Sequence, residues 1–294
     1  QSSKNSLAVG AVRFTDANSW FSSYGPVRDG RLKPEITAVG VDVYSTFPNN
    51  TYRGGYNGTS MSCPGTSGTA ALITQLFKEK NDTLPDAHLI KGVLCNAADD
   101  LGRSGPDFQY GFGRLNGYVA ANIINDSNFR TDTVQQNGYV SDTIFIDNPH
   151  LFKVMLCYND IEAVASASTT LINDLDLFLI DDAGDTLLPW VLDPSTPAAV
   201  AVRGVDGLNN IEQVTIETPT SAYYVYNVRG TQVAPGGQIF SINWLEQDTS
   251  LTIVYPNGGE KWVPPINTAT RQRTRWDARG ISGNATLSYS IDSG

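Results

Sequence analysis

The segment Gly58-Thr59-Ser60-Met61-Ser62-Cys63-Pro64, with Gly68 beyond it, has the residue types that a nucleophilic hydroxyl needs. The apolar spacing after Ser60 predicts a small-residue helix reaching Phe77. A serine at a helix N-terminus sits where backbone N–H groups without helical partners, and the helix dipole, favour developing negative charge. The Ser60 N–H can then donate to the oxyanion of a tetrahedral intermediate. Gly58 leaves room for a substrate backbone. Pro64 has no N–H to offer the Ser60 carbonyl, which loosens the first turn. Gly68, on the Ser60 side, allows close packing, and Ala70, Ala71, Leu72, Ile73 and Leu76 suit a buried helix. The competing reading is a capped core helix with an ordinary serine at its start. The combined spacing favours the nucleophile.

A serine nucleophile needs a base, and an acid to orient that base. The chain has two histidines. His88 is expected on the surface of a helix opened by Pro85, and His150 in a loop after Asn148-Pro149. Neither sits in a motif. A second chemical grouping is acidic. Asn173, Asp174 and Asp176 place oxygen donors close together, two of them on one side of a strand. Calcium takes six to eight oxygens, so Asp160 and Asp206 would complete such a site. Turn chemistry beside a solvated strand edge fits the same residues without a metal.

The elements that must position these groups fall into three stretches. Residues 1–126 mix strands and helices in an α/β pattern: strands over 7–13 and 36–44, the serine helix, the Pro85 helix and a last helix over 116–124. Residues 127–247 change to short alternating strands at 139–146, 152–158, 176–180, 213–217, 222–228 and 238–244. Turn residues such as Asp182-Ala183-Gly184-Asp185 and Pro235-Gly236-Gly237 separate them, which predicts an all-β sandwich or jelly roll. The sandwich is expected to close its own core. Residues 248–294 begin again as strand, turn and strand, an incomplete Ig-like module with Pro256-Asn257-Gly258-Gly259 as its turn. Trp262 and Trp276 are assigned to its core. Both ends of the chain read as cut: it opens on Gln1 beside a strand and stops within the strand-like pattern of 285–291.

Composition excludes several classes. With 40% hydrophobic and 17% charged residues the chain is globular. A net charge of −10 without a basic cluster argues against nucleic acid. No apolar run is long enough for a membrane span. Cys63, Cys95 and Cys157 form no metal-ligand spacing and read as buried free thiols.

GTSMSCPxxxG closely resembles the serine signature of the subtilisin-like peptidases. Three more stretches resemble that family in order and spacing: Ser3 to Ala11, Phe21-Ser22-Ser23-Tyr24-Gly25-Pro26 through Lys33-Pro34-Glu35, and Tyr110-Gly111-Phe112-Gly113-Arg114-Leu115-Asn116. Glu35, Val39 and Gly65 depart from the usual family residues. The resemblance implies a partial catalytic domain with Ser60 as nucleophile of a serine endopeptidase acting on protein or peptide substrates. The family's Asp, His and oxyanion Asn precede the matched segment, so they are expected outside these residues, and the isolated chain is expected to be inactive. An N-terminal half acting in trans is one possible partner. The alternative is a non-catalytic scaffolding protein built on a decayed peptidase half. Leu171-Ile172-Asn173-Asp174-Leu175-Asp176-Leu177 and Asp206 to Glu212 resemble the β-sandwich of the alkaline, oxidatively stable branch, which implies structural calcium. The 256–260 run and Trp276-Asp277 resemble Ig-like modules of secreted bacterial enzymes, which implies secretion.

Overall fold

The computed structural model describes residues 3–147, 149–255, 274–279, 281 and 286. The turn expected at 256–259, Trp262, and all of 285–291 except residue 286 lie outside the described residues.

Two short apolar strands, β1 (Val9–Val12) and β2 (Ile36–Val39), pair in parallel with Val9 opposite Ile36 and Val12 opposite Val39. The run expected over 36–44 is broken at Gly40. Beyond it, β3 (Val43–Phe47) and β4 (Thr51–Tyr56) form an antiparallel hairpin with nearly every residue exposed. Helices α1 (Thr59–Asn81), α2 (Ala87–Asn96) and α3 (Gly117–Asn125) follow. Asn116 caps α3, its side chain accepting from the Val119 N–H at 3.1 Å. Lys78 and Lys80 lie in the last turn of α1, where the helix dipole favours cations.

The expected sandwich is present. One antiparallel sheet has the order β12 (Ile211–Glu217), β7 (Leu151–Cys157), β14 (Gln238–Gln247), β5 (Phe129–Val134). The other has β6 (Tyr139–Phe145), β13 (Tyr223–Gln232), β8 (Asp174–Asp181), β9 (Thr186–Leu187). Between them Phe152, Leu177, Tyr224, Val228, Phe240 and Ile242 form a shared core. Two short strands, β10 (Trp190–Val191) and β11 (Val202–Arg203), pair beside it. Strand β5 was not expected from the sequence, because its exposed Arg-Thr-Asp-Thr stretch carries no alternation of apolar residues.

Strand β7 explains how the two parts join. Phe152, Val154 and Leu156 face the sandwich core, whereas Met155 and Cys157 belong to a second core with Leu89, Val93 and Leu94 of α2. Ile211 and Leu245 join that second core. The core between the two sheets is made by sandwich residues alone, and helix α2 in addition covers the outer face of one sheet. This is why β7 is buried on both faces and, apart from Lys153, apolar rather than alternating.

The expectation of a buried serine helix is corrected. Only Ser62, Thr66, Ile73 and Phe77 of α1 are buried, while Leu72 is 67% exposed. A helix laid on a two-stranded sheet can bury only one stripe. A Cβ built on Gly68 would meet nothing within 4 Å, so close packing at that position is absent among the described residues. Cys63 is exposed for the same reason, and only Cys95 and Cys157 are buried free thiols. After the sandwich, β15 (Ser250–Tyr255) and β16 (Arg275–Arg279) pair antiparallel. Trp276, expected in a core, is 46% exposed.

Candidate active site

Ser60 is exposed in the first turn of α1. A chain of backbone hydrogen bonds holds that turn to the sheet. The Gly40 N–H donates to Val12 O at 3.0 Å, and the Gly58 N–H donates to Gly40 O at 2.8 Å. The Met61 N–H then donates to Gly58 O at 3.0 Å, a tight first turn that encloses Ser60. Gly40 is required here, since a Cβ would stand 2.2 Å from Ser62 Oγ and 2.7 Å from Gly58 O. Gly58 has φ 155°, which side-chain-bearing residues rarely adopt. Sequence reasoning noted Gly58 but missed Gly40, whose signal was a glycine at the end of a buried strand.

The segment from Gly111 to Leu115 braces β2 from the other side. Phe112 N–H donates to Glu35 O at 2.9 Å, Thr37 N–H to Gly113 O at 2.8 Å and Leu115 N–H to Thr37 O at 2.8 Å. Gly113 has φ 121°, and a Cβ there would lie 2.0 Å from Asp99 O. The glycines of the Tyr110–Asn116 stretch thus serve backbone approach.

Neither histidine is placed to serve Ser60 by anything the structure shows. His88 is buried at 5% exposure, correcting its surface assignment, and its Nε2 has no hydrogen-bond partner. Burial pushes its imidazole below the ordinary value, so it is neutral at neutral pH. His150 stands in the bend before β7, where its carbonyl accepts from the Thr218 N–H at 2.8 Å.

The acidic residues divide into two groups. Asp160 is buried, and its carboxylate accepts from the Lys4 ammonium at 2.5 Å and the N–H groups of Ile172 and Asn173 at 2.8 and 2.9 Å. The Asn173 amide donates to Gln238 Oε1 at 2.6 Å and accepts from the Ala234 N–H at 2.8 Å. Both side chains are thus engaged away from a shared ion. Asp174 and Asp176 lie on the outer face of β8, opposite Leu175, Leu177 and Leu179 in the core. With Asp206 and Glu212 they form a buried acidic group that sequence reasoning only partly found. Glu212 was passed over because it reads as an ordinary strand residue.

Burial, then Asp176, Asp206 and Asp160, push the Asp174 carboxyl up to about 6. Burial raises Asp206 as well. Glu212 is lifted well above the carboxylate range by burial and then by Asp206, Asp176 and Asp174. Asp174 Oδ1, Asp176 Oδ1 and Glu212 Oε1 are buried without hydrogen-bond partners. Carboxylates in mutual repulsion with orphaned oxygens fit a hard divalent cation by donor chemistry. Among the described residues, however, no three His, Cys, Asp or Glu side chains are arranged around one point as metal ligands.

A buried polar seam joins the serine segment to the sandwich. Glu35, 1% exposed, accepts from the Ala8 N–H at 2.7 Å, pairs with the Lys91 ammonium at 2.9 Å and pairs with Lys33. Lys91 donates to Lys4 O at 2.9 Å, and Lys4 reaches Asp160. Asn5 adds a two-way contact with the Asp160 backbone, at 2.8 and 3.1 Å. Burial holds Lys33 down at about 8 despite Glu35. Burial also presses on Lys91, but Glu35, together with Cys157 and Cys95, outweighs it and the net shift is upward.

These features describe an α/β segment that presents a serine on an exposed helix start, fused to a β-sandwich. Residues 1–113 match the sequence model of the subtilase family (Peptidase_S8). The chain is 42% identical over 115 residues to subtilisin DY of Bacillus licheniformis, covering 39% of this chain and 36% of that protein. It is 34% identical over 125 residues to bacillopeptidase F of Bacillus subtilis (strain 168), covering 41% of this chain and 8% of that protein. Among solved structures, a lanthipeptide protease is similar at 27% identity with a TM-score of 0.36, over 40% of this chain and 41% of that one. Residues 1–113 are thus similar in sequence to the subtilisin-like peptidases. The chain spans about a third of the length of subtilisin DY and far less of bacillopeptidase F. No described helix is long and apolar enough to cross a membrane.

Proposed function

We propose that this chain is the nucleophile-bearing part of a secreted bacterial serine endopeptidase. Its substrates are proteins or peptides. Ser60 Oγ attacks the scissile carbonyl and forms the acyl-enzyme, while the Ser60 N–H stabilises the oxyanion. A His base and an Asp that orients it come from outside these 294 residues, either from an upstream segment of the same protein or from another chain. The carrying observation is the exposed Ser60 in the first turn of α1, within Gly58-Thr59-Ser60-Met61-Ser62-Cys63-Pro64. Residues 1–126 form the C-terminal part of the catalytic domain, 127–247 a jelly-roll-like sandwich and 248–294 part of an Ig-like module.

The sandwich holds a structural calcium ion. Asp174, Asp176 and Glu212, each with an unpartnered buried oxygen, and Asp206 beside them would supply its ligands by drawing closer together than they stand here, where no three described side chains surround one point. Asp160 and Asn173 instead hold the loop before β8 in place.

A fluorophosphonate probe tests the catalytic reading. The isolated chain should remain unlabelled, because a serine without a base is a weak nucleophile. Mixed with a polypeptide supplying the subtilisin-like Asp and His segments, it should be labelled, and Ser60→Ala should abolish that labelling. Labelling of the isolated chain at Ser60 would reveal a base within it, with His88 the first to examine. Failure of the reconstituted pair, shown to associate, would favour the scaffolding alternative.

A further inference from the structure

A cleft of about 980 Å³ opens beside α3, between the end of β14 and the β15–β16 pair. It lies at the upper end of the ~300–1,000 Å³ range of ligand pockets. Val119, Ile123 and Leu245 give it a buried apolar floor, and Ile253 and Trp276 line it with 50% and 46% of their surface exposed. Its charge is one-sided. Asp16, Asp99, Asp126, Glu246 and Asp248 line it, against the single guanidinium of Arg114 and no lysine among the described residues. Arg114 is already bound to Asp16 and to Asp99, the latter at 2.7 Å. Most of the uncompensated negative charge therefore rests on Asp126, Glu246 and Asp248. Burial, and then Asp248, Asp147 and Asp126, hold the Glu246 carboxyl above its ordinary value.

An added cation relieves that repulsion, and an apolar group covers the exposed indole and isoleucine. Anionic ligands are opposed by the same field. The cleft is large and two-natured, so a polypeptide fits it better than a single ion. We infer that this cleft docks a basic, apolar polypeptide segment, its lysine or arginine side chains meeting Asp126, Glu246 and Asp248 while its apolar side chains cover Ile253 and Trp276. Gly65 of α1 also lines the cleft, so a docked segment runs beside the helix that carries Ser60. The docking is independent of catalysis and is measured without it.

The experiment uses the full chain carrying Ser60→Ala and two fluorescent decapeptides, one alternating lysine and leucine, the other glutamate and leucine. Anisotropy at low ionic strength should show binding of the first and none of the second. Raising salt to about 0.15 M should weaken binding, since exposed charges are screened beyond roughly 8 Å. Asp126→Asn, Glu246→Gln and Asp248→Asn together should weaken binding about tenfold, from three exposed pairs of modest strength. Ile253→Ser should weaken it separately. A control triple, Asp132→Asn, Asp142→Asn and Asp185→Asn, removes the same charge elsewhere and should leave affinity within twofold. Equal losses in both triples would mean general attraction to an acidic protein and would overturn the inference, as would no binding of the basic peptide.

Discussion

Glu35 is the place where one atom change should expose how the two parts are held together. Its carboxylate is 1% exposed and faces two buried ammonium groups, Lys33 and Lys91, as well as the Ala8 N–H. Glu35→Gln keeps the shape and removes the charge. Breaking a buried ion pair from one side costs about 3–5 kcal/mol, because the remaining charge is left without compensation. The loss should depend on pH. Lys33 sits at about 8 with Glu35 in place, below its ordinary 10.5. Its folded state therefore holds fewer protons than the unfolded state between those values, and its contribution to stability rises with pH in that window. Without Glu35 the folded Lys33 value falls further. The variant then regains stability from a lower pH upward, and the gap to wild type narrows as pH rises toward about 8. The slope is at most about 1.4 kcal/mol per pH unit for one proton. Urea unfolding of both proteins at pH 6, 7, 8 and 9 measures it. A gap below about 1 kcal/mol at pH 6, or one that stays constant to pH 9, would refute the placement of Glu35 between two charged lysines.

Three further outcomes follow from the same geometry. Cys63 should react with a water-soluble disulfide reagent in the native protein, whereas Cys95 and Cys157, the latter raised by burial to about 11, should react only on unfolding; two fast thiols would contradict this. Calcium should raise the melting temperature and a chelator lower it, by the amount that binding to the folded state alone provides, about 2.7 kcal/mol at a hundredfold excess over Kd. The Glu212→Gln variant should lose most of that shift, and a wild type that ignores calcium would remove the ion. Without calcium, stability should fall as pH rises from about 4 to about 6, because the Asp174 value is raised in the folded state; a flat profile there would show that the four carboxylates are not in mutual repulsion.

The sequence alone was sufficient for the elements whose chemistry is local. The Ser60 helix start follows from Gly58, Ser60 and Pro64, because backbone rules and the helix dipole act within one turn. Most sandwich strands follow from alternation: Leu175, Leu177 and Leu179 point inward and Asp174 and Asp176 outward on β8, as a period of two demands. Tertiary structure alone decided which faces found a partner. Leu72 and Cys63 are exposed on a helix whose residues suit burial, since a side chain is buried only if something packs on it. His88 is buried at a helix start that reads as surface. Asp160 and Asp174 read as one set of donors, yet Lys4, distant in sequence, pairs with Asp160, while Glu212 from another strand comes under the charge of Asp174, Asp176 and Asp206. Those outcomes depend on long-range pairing, and spacing along the chain carries no record of which distant residue arrives beside a given one.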